Sequence, residues 1–194
     1  MKNASNHFFI TSTGTDVGKT IASAYLCSLL PGFDYWKAVQ CGPGAFQQQD
    51  YAGDAAIVEF ISQAKVSTGL YLETPASPHF AAELANRTLT VADILAQQPQ
   101  HKNLIIEGAG GVAVPLNGKE DIVDLVPKVK AAVILVVRPD LGTISHTRTA
   151  LDFLSAKNIS TQGIVLATPQ ADFDWSDPIV QNNWETLDQY APVL

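Results

Sequence analysis

Short apolar segments alternate with segments of helical spacing along most of this chain. The apolar segments have the length of β-strands, and we predict strands over residues 7–11, 34–39, 103–107, 132–137 and 163–167. Between them, apolar residues recur at the spacing of an amphipathic helix, which predicts helices over residues 18–30, 54–61, 122–129 and 144–156. Residues 172–194 contain one further candidate helix, which we expect to cover an edge of the sheet.

Several of the predicted strands are apolar at every position rather than at alternate positions, as in "AVILVV" at residues 132–137. Strands of this kind are buried on both faces, as in a parallel sheet that helices cover on both sides. The alternation therefore predicts an α/β fold, with a doubly wound, mainly parallel sheet flanked by helices, in one domain that spans residues 1–194. Ligands of such sheets bind beyond the carboxyl ends of the strands, so residues that follow each strand are candidates for a site.

Composition narrows the classes of partner. The chain has 194 residues, a net charge of -7 and 46% hydrophobic residues. No basic cluster stands out, so we expect neither a nucleic acid nor an anionic membrane as a partner. The longest apolar run, "AAVILVV", is too short to span a bilayer, and Cys27 and Cys41 lack the spacing of a metal site or a disulfide framework. We therefore expect a soluble, cytoplasmic protein.

A candidate phosphate-binding loop, "TSTGTDVGKT" at residues 11–20, follows the first predicted strand and opens the first predicted helix. In that position, backbone N–H groups and the positive end of a helix dipole hold phosphate oxygens. Lys19 would reach the outer phosphates and the hydroxyl of Thr20 would bind Mg²⁺, although Thr13 stands where the usual pattern has a glycine. The alternative is a glycine-containing turn with an incidental lysine. The combination of strand, loop and helix favours a P-loop NTPase fold.

Two acidic residues are candidate ligands of a magnesium ion. Glu107 ends an apolar strand and is followed by glycines in "EGAGG", which would let a nucleotide approach the backbone. Asp54 begins a predicted helix. Phosphoryl-transfer sites pair a P-loop hydroxyl with a carboxylate on Mg²⁺, which favours metal binding by both residues. The alternatives are a cap or an ion pair to a loop for Glu107, and a helix N-cap for Asp54.

Lys37 lies near the end of the second predicted apolar strand, in "DYWKAV". A lysine inside a buried strand is costly unless its charge has a partner. If its side chain points toward the phosphate loop, the nucleotide or the substrate supplies that partner. The alternative is an edge strand with Lys37 in solvent.

These stretches together resemble the dethiobiotin synthetases, from about residue 8 to residue 167. The loop is similar to the T-G-T-D-T-x-V-G-K-T of that family, which itself has threonine at the position of Thr13. "KAVQCG" resembles K-P-V-x-[ST]-G, "SPHFAA" resembles S-P-H-x-A-A, "EGAGGVAVPL" matches closely, and "LGTISH" is similar to L-G-x-I-N-H. Several positions depart from the family. In the loop, Ser12 and Gly14 replace a glycine and an aspartate. Cys41 replaces a hydroxyl residue that contacts substrate, and Thr168 replaces an asparagine that reads the nucleotide base.

The resemblance implies an ATP-dependent cyclo-ligase of biotin biosynthesis. Such an enzyme closes the ureido ring of dethiobiotin from 7,8-diaminopelargonate and CO₂, through a carbamate and a carbamic-phosphoric anhydride, and releases ADP and phosphate. The resemblance also implies that the enzyme uses ATP with Mg²⁺ and acts as a homodimer with the substrate site at the interface.

The same resemblance assigns roles to individual residues. The catalytic residues would be Lys37 and Lys19, and the ligands of Mg²⁺ would be Thr20, Asp54 and Glu107. The nucleotide-binding residues would be Asp16, Val17, Gly18, Lys19, Thr20, Ile21, Asp54, Glu107, Gly108, Ala109 and Gly110. The substrate-binding residues would be Thr15, Cys41, Gly142, Thr143, Ile144 and Ser145, of which the last four would receive the substrate carboxylate across the dimer interface.

Three other classes of nucleotide-binding protein are alternatives. ParA/MinD-type ATPases carry an earlier lysine in the loop, where this chain has Gly14. Cobyric-acid amidotransferases need an additional glutaminase domain, for which we expect no room in this chain. A non-catalytic nucleotide-binding module is the third alternative, and Lys37 argues against it because simple binding does not need that group.

Overall fold

The computed structural model describes residues 6–46, 49–168, 170 and 172–194. The strands within these residues are β1 (Asn6–Ser12), β2 (Asp34–Cys41), β3 (Gly44–Phe46), β4 (Gln49–Tyr51), β5 (Val66–Leu72), β6 (Asn103–Glu107), β7 (Ala132–Val137) and β8 (Thr161–Leu166). The helices are α1 (Lys19–Leu29), α2 (Asp54–Ser62), α3 (Pro78–Leu84), α4 (Val91–Leu95), α5 (Val126–Val129), α6 (Thr143–Ala156) and α7 (Pro178–Asp188). A 3₁₀ turn, Ile122–Leu125, leads directly into α5.

Six strands form one sheet in the order β5-β2-β6-β1-β7-β8, and every pairing in it is parallel. The prediction of a doubly wound parallel sheet is therefore confirmed. β1 lies inside the sheet, and the chain passes from it to β2 on one side and later to β7 and β8 on the other. Such a reversal opens a crevice at the carboxyl ends of the strands, where ligands bind in this class of fold.

The predicted elements are present, with small differences at their ends. β6 and β7 match the prediction at both ends, and β2 continues to Cys41. β8 begins at Thr161, two residues before the predicted start. The apolar pattern did not include Thr161 and Gln162, because both are polar residues in a strand at the edge of the sheet. The pattern does not predict β5, an edge strand in which the polar Ser67 and Thr68 interrupt the apolar run. The predicted helix over residues 122–129 consists of the 3₁₀ turn followed by α5.

Successive residues of the central strands point to opposite faces of the sheet, into two separate apolar clusters. On one face, Tyr35 of β2 and Ile105 of β6 pack with residues of α1 and α2. On the other face, Trp36 packs in the cluster that includes residues of α6. Lys37 and Glu107 follow Tyr35 and Ile105 by two residues and therefore point toward α1 and α2. The strand register places Lys37 directly opposite Glu107.

The candidate helix near the end of the sequence is α7, which packs against α6 and β8. After α7, Val193 pairs in parallel with Ile164 of β8. The prediction that this segment covers an edge of the sheet is confirmed. None of the helices in the described part of the chain is both long enough and apolar enough to cross a membrane.

Candidate active site

The phosphate loop joins β1 to Lys19, the first residue of α1. Its backbone takes the left-handed conformation at Asp16 and Gly18, whose φ angles are 55° and 106°. A side chain at Gly18 would also come within 2.9 Å of the Cβ of Ala167. The guanidinium of Arg138 donates a 2.8 Å hydrogen bond to the carbonyl oxygen of Asp16. The path of the loop is therefore fixed by glycine geometry and by residues that follow β7 and β8.

Lys19 is folded into this loop and is only 7% exposed. Its ammonium donates hydrogen bonds to the hydroxyl of Ser12, at 3.1 Å, and to the carbonyl oxygen of Gly14, at 3.3 Å. Burial, followed by the neighbouring charge of Lys37, lowers the pKa of Lys19 to about 8, although Glu107 and other carboxylates act in the opposite direction. An anion in the loop would supply the counter-charge, so Lys19 is suited to bind phosphate.

The glycine segment after β6 packs against the phosphate loop. The N–H of Gly108 donates to the carbonyl oxygen of Ile10 at 3.1 Å, and the N–H of Val112 donates to that of Ser12 at 3.0 Å. A side chain at Gly111 would come within 3.1 Å of the Ser12 oxygen, so this close approach requires glycine. These two adjoining segments, with the first turn of α1, contain the nucleotide-binding candidates Asp16, Val17, Gly18, Lys19, Thr20, Ile21, Gly108, Ala109 and Gly110.

Glu107, at the end of β6, has no exposed surface. Its Oε1 accepts hydrogen bonds from the ammonium of Lys37 at 2.8 Å and from the hydroxyl of Thr20 at 3.1 Å. Its Oε2 accepts from the hydroxyl of Ser23 at 2.8 Å and from the phenol of Tyr35 at 3.0 Å. Burial of a carboxylate is costly unless donors such as these satisfy its oxygens. Glu107 thus does form an ion pair, but its partner is the candidate catalytic lysine rather than a loop.

Lys37 is 3% exposed, and its ammonium lies between two carboxylates. It is 2.5 Å from Oδ2 of Asp54 and 2.8 Å from Oε1 of Glu107, and it donates a further hydrogen bond to the carbonyl oxygen of Gly108 at 3.1 Å. Burial acts to lower the pKa of Lys37, but the charges of Glu107 and Asp54 outweigh burial and raise it above its usual value. The alternative of an exposed edge strand is wrong, because β2 lies between β5 and β6.

Asp54 is the first residue of α2, and the N-cap of that helix is Gly53. The N-cap alternative for Asp54 is therefore wrong. The backbone N–H of Asp54 donates to the side-chain oxygen of Gln40 at 2.9 Å, and the amide of Gln40 donates in turn to the carbonyl oxygen of Gly42 at 2.9 Å. These bonds tie the start of α2 to β2, so that the carboxylate of Asp54 meets Lys37.

The oxygen atoms around Lys37 suit a divalent cation such as Mg²⁺. Oxygens of Asp54 and Glu107 already lie within 2.8 Å of one positive charge, and the hydroxyl of Thr20 is 3.1 Å from the same oxygen of Glu107. Mg²⁺ prefers oxygen ligands and is usually bound by one or two carboxylates together with substrate phosphates. Among the described residues, no group of three or more His, Cys, Asp or Glu side chains is placed to hold a metal. The donor set fits a magnesium ion that shares its coordination with a nucleotide.

Two of the substrate candidates, Thr15 and Cys41, lie at the carboxyl ends of the strands. Thr15 is exposed in the phosphate loop, and Cys41 is the half-buried last residue of β2. Burial raises the pKa of the Cys41 thiol to about 11, although Lys37 acts in the opposite direction. The thiol is therefore neutral at pH 7, and it is a weaker hydrogen-bond donor than a hydroxyl.

The other substrate candidates lie at the start of α6. Gly142, Ile144 and Ser145 line a separate, open groove of about 500 Å³, beside the exposed side chain of Leu141. Thr143 is buried instead, and its hydroxyl has no hydrogen-bond partner among the described residues. The structure thus divides the predicted site residues into two groups, one in the crevice and one in this groove.

Two further residues, Tyr35 and Ser23, donate to Glu107, and the sequence pattern does not predict either contact. Tyr35 precedes Lys37 by two residues on the same strand, and alternation places both on one face. Ser23 follows Thr20 by three residues, the spacing of neighbours on a helix surface. Neither spacing identifies the shared acceptor, because that depends on the register between β2 and β6.

Comparison with known proteins identifies relatives over most of the chain. A family described as an AAA domain matches residues 6–193. An ATP-dependent dethiobiotin synthetase of Christiangramia forsetii is 39% identical over 160 residues, which cover 82% of this chain and 75% of that protein. A namesake from Lawsonia intracellularis is 37% identical over 160 residues, covering 82% of this chain and 74% of that protein. A third dethiobiotin synthetase, from Lysinibacillus sphaericus, is 34% identical over 201 residues, which cover 96% of this chain and 84% of that protein.

One solved structure shows the same fold at low identity. A ParA family ATPase from Chlorobium tepidum aligns with a TM-score of 0.56 over 98% of this chain and 83% of its own, at 13% identity. This likeness concerns the P-loop NTPase fold alone. The ParA-type alternative therefore shares the architecture, while the earlier loop lysine that distinguishes that class is absent at Gly14.

Proposed function

This chain belongs to the ATP-dependent dethiobiotin synthetase family, and on that basis we propose how its residues carry out the reaction. It is an ATP-dependent ligase of biotin biosynthesis that acts on small molecules. The observation that carries the proposed mechanism is the position of Lys37, which is buried and charged between Asp54 and Glu107 and adjoins the phosphate loop.

The phosphate loop would hold the outer phosphates of ATP. Backbone N–H groups at the start of α1 and the dipole of that helix favour an anion there. Lys19, whose pKa is lowered to about 8 by burial, would gain a negative partner in the bound phosphate. A module that only binds nucleotide would need no more than this, and Lys37 goes beyond it.

Thr20, Asp54 and Glu107 are the residues that would hold Mg²⁺. Bound there, Mg²⁺ would offset the charge that develops on the β- and γ-phosphate oxygens. Lys37 would then exchange its contacts with the two carboxylates for contacts with the reacting groups. Its ammonium, which remains charged well above neutral pH, needs no proton transfer to take that role.

The proposed reaction begins with a carbamate, formed from one amine of 7,8-diaminopelargonate and CO₂. A carbamate oxygen attacks the γ-phosphorus, the bond from that phosphorus to the bridging oxygen of ADP breaks, and a carbamic-phosphoric anhydride forms. The second amine attacks the anhydride carbon and loses a proton, and phosphate leaves as the ureido ring closes. Lys37 would bridge the carbamate and the γ-phosphate, since catalysis of phosphoryl transfer consists mainly of positioning and charge neutralisation.

The start of α6 would receive the carboxylate of 7,8-diaminopelargonate from the crevice of a second subunit. This helix is 14 residues long, and its backbone N–H groups and dipole favour an anion at Gly142–Ser145. Leu141, which is 93% exposed beside the groove, is an apolar side chain that a second copy would cover. We therefore include a homodimer in the proposal, and a location in the cytoplasm, where ATP is available.

Phosphate release by the purified protein tests the proposal. With Mg²⁺ and ATP, we expect release only when both 7,8-diaminopelargonate and bicarbonate are present, together with an equal amount of dethiobiotin by mass spectrometry. Replacing ATP with CTP or GTP measures the base preference that Thr168 leaves open. Release that is indifferent to 7,8-diaminopelargonate would contradict the ligase mechanism, and no release with any nucleotide would favour a binding module. Sedimentation as a monomer at assay concentrations would contradict the homodimer.

A further inference from the structure

The two carboxylate oxygens of Glu107 face different surroundings. Oε1 meets Lys37 and Thr20, the residues that would contact the reacting phosphate and the metal ion. Oε2 meets Ser23 and Tyr35, which belong to the interior between the sheet and α1. The carboxylate of Glu107 thus contacts the crevice through Oε1 and the core through Oε2.

The donors to Oε2 are held by regular secondary structure. The side chains of Tyr35 and Ser23 have no exposed surface. Tyr35 lies on β2, where its neighbours on the adjoining strands are Val66 and Ile105. Ser23 lies on the inner face of α1, one turn after Thr20. Their positions are therefore set by strand register and helix packing, before any ligand is bound.

We propose that Tyr35 and Ser23 are positioning residues for the ligase reaction: by holding Oε2, they present Oε1 of Glu107 to the metal ion. This inference rests on the proposed role of Glu107 as a metal ligand. Hydrogen bonds to the outer oxygen of a metal-binding carboxylate orient that ligand, and their loss typically costs roughly 10- to 100-fold in metal affinity or activity.

The chemical nature of the two donors matters as well as their position. A hydroxyl and a phenol satisfy Oε2 without adding a positive charge, so the negative charge of Glu107 remains available to a cation at Oε1. A lysine or an arginine in place of Tyr35 would satisfy the same oxygen but would compete electrostatically with Mg²⁺. Neutral donors on one side and cations on the other suit a carboxylate that must bind a metal.

Nucleotide binding with and without metal separates positioning from a merely structural role. The measurement is the dissociation constant of a fluorescent, non-hydrolysable ATP analogue, once with Mn²⁺ and once with EDTA. The ratio of the two constants reports the contribution of the metal, and it requires no turnover. We expect Tyr35→Phe to reduce this ratio by about tenfold while the constant in EDTA stays the same. Ser23→Ala should act in the same direction.

Control variants define the two limits of this measurement. Tyr25→Phe removes a phenol from the exposed side of α1, where Tyr25 is 65% exposed, and should leave the ratio unchanged. Glu107→Gln should remove most of the metal dependence. At saturating Mg²⁺, Tyr35→Phe should recover most of its kcat, so that its defect lies in the Mg²⁺ concentration needed for half-maximal rate.

Two results would overturn the inference in distinguishable ways. If the wild-type protein shows no dependence on Mn²⁺, the proposed metal site is wrong and the inference falls with it. If the wild-type protein and Glu107→Gln behave as expected but Tyr35→Phe and Ser23→Ala keep the wild-type ratio, only the positioning role is wrong. Should Tyr35→Phe fail to fold, as thermal melting would reveal, an unchanged ratio in Ser23→Ala would by itself overturn the inference.

Discussion

Lys19 should destabilise the protein in the absence of nucleotide. Lys19 is 7% exposed, and its ammonium donates hydrogen bonds to neutral groups on Ser12 and Gly14. The pKa of Lys19 falls from 10.5 to about 8 on folding. The charged form of Lys19 is therefore less stable in the folded protein than in the unfolded chain, by about 3 kcal/mol relative to the neutral form. Lys19→Met keeps an unbranched side chain and removes this cost of burying a charge. The variant also loses two long hydrogen bonds, which reduces the gain in stability by about 1 kcal/mol. We expect the free energy of unfolding at pH 7 to rise by about 2 kcal/mol.

The direction of the pH dependence provides a second test of the same cause. Below pH 8, Lys19 is charged in both the folded and the unfolded state, so the full destabilisation is present. Between pH 8 and pH 10.5 the unfolded chain still holds the proton and the folded protein has lost it, so wild-type stability rises with pH relative to the variant. The advantage of Lys19→Met should therefore shrink over this interval.

Urea unfolding without nucleotide, followed by circular dichroism at pH 7 and again near pH 10, measures both effects. The control is Lys128→Met, which removes an exposed lysine from α5 and should have little effect at either pH. Lys19→Met should at the same time lose most of its nucleotide affinity, because Lys19 would contact the outer phosphates. The reasoning is refuted if Lys19→Met is less stable than the wild type at pH 7, or if its advantage is equal at both pH values.

Three further substitutions test other parts of the site. Lys37→Ala should lower substrate-dependent phosphate release by roughly 10²- to 10³-fold while the protein stays folded, because it removes the charge that would bridge the reacting groups; normal turnover would contradict this proposed role. Gly18→Ala should lower the free energy of unfolding in urea by about 1 to 3 kcal/mol, because φ at this position is 106° and the new Cβ would lie 2.9 Å from the Cβ of Ala167. Adding Ala167→Gly should restore only the part of this loss that comes from the steric clash. An unchanged unfolding midpoint in Gly18→Ala would contradict the prediction. Cys41→Ser should lower the KM for 7,8-diaminopelargonate with little change in kcat, because a hydroxyl donates a stronger hydrogen bond; an identical KM would mean that this side chain does not contact the substrate.

The sheet could be predicted from the sequence wherever burial alone determines residue type. β6 and β7 are central strands with helices on both faces, and their apolar runs coincide with the predicted strands at both ends. β5 lies at the edge of the sheet, where no strand among the described residues pairs with its outer side and polar residues such as Ser67 and Thr68 are tolerated. The pattern of apolar positions carries little information there, so β5 could not be predicted from the sequence.

The sequence pattern singled out Lys37, Asp54 and Glu107, which the structure brings together, but it did not predict their contacts. The prediction that Lys37 is buried is confirmed, and the structure adds a pair of carboxylates, Asp54 and Glu107, as partners for its charge. The contact with Glu107 arises from the register between β2 and β6, and the contact with Asp54 from the docking of α2. Both are long-range arrangements that spacing along one chain does not specify.

The alternation of side chains along β2 determines which residues reach the charged cluster around Glu107. Odd-numbered Tyr35 and Lys37 face the carboxylate of Glu107, while even-numbered Trp36 and Ala38 belong to the core on the other side of the sheet. Because side chains alternate, inserting or deleting one residue early in the strand would bring the indole into the charged cluster and the ammonium into the apolar core. Loops can change length gradually over evolution, but this part of the strand has less freedom: from Tyr35 to Ala38, a change of a single residue would exchange the side chains that face Glu107 for those of the opposite core.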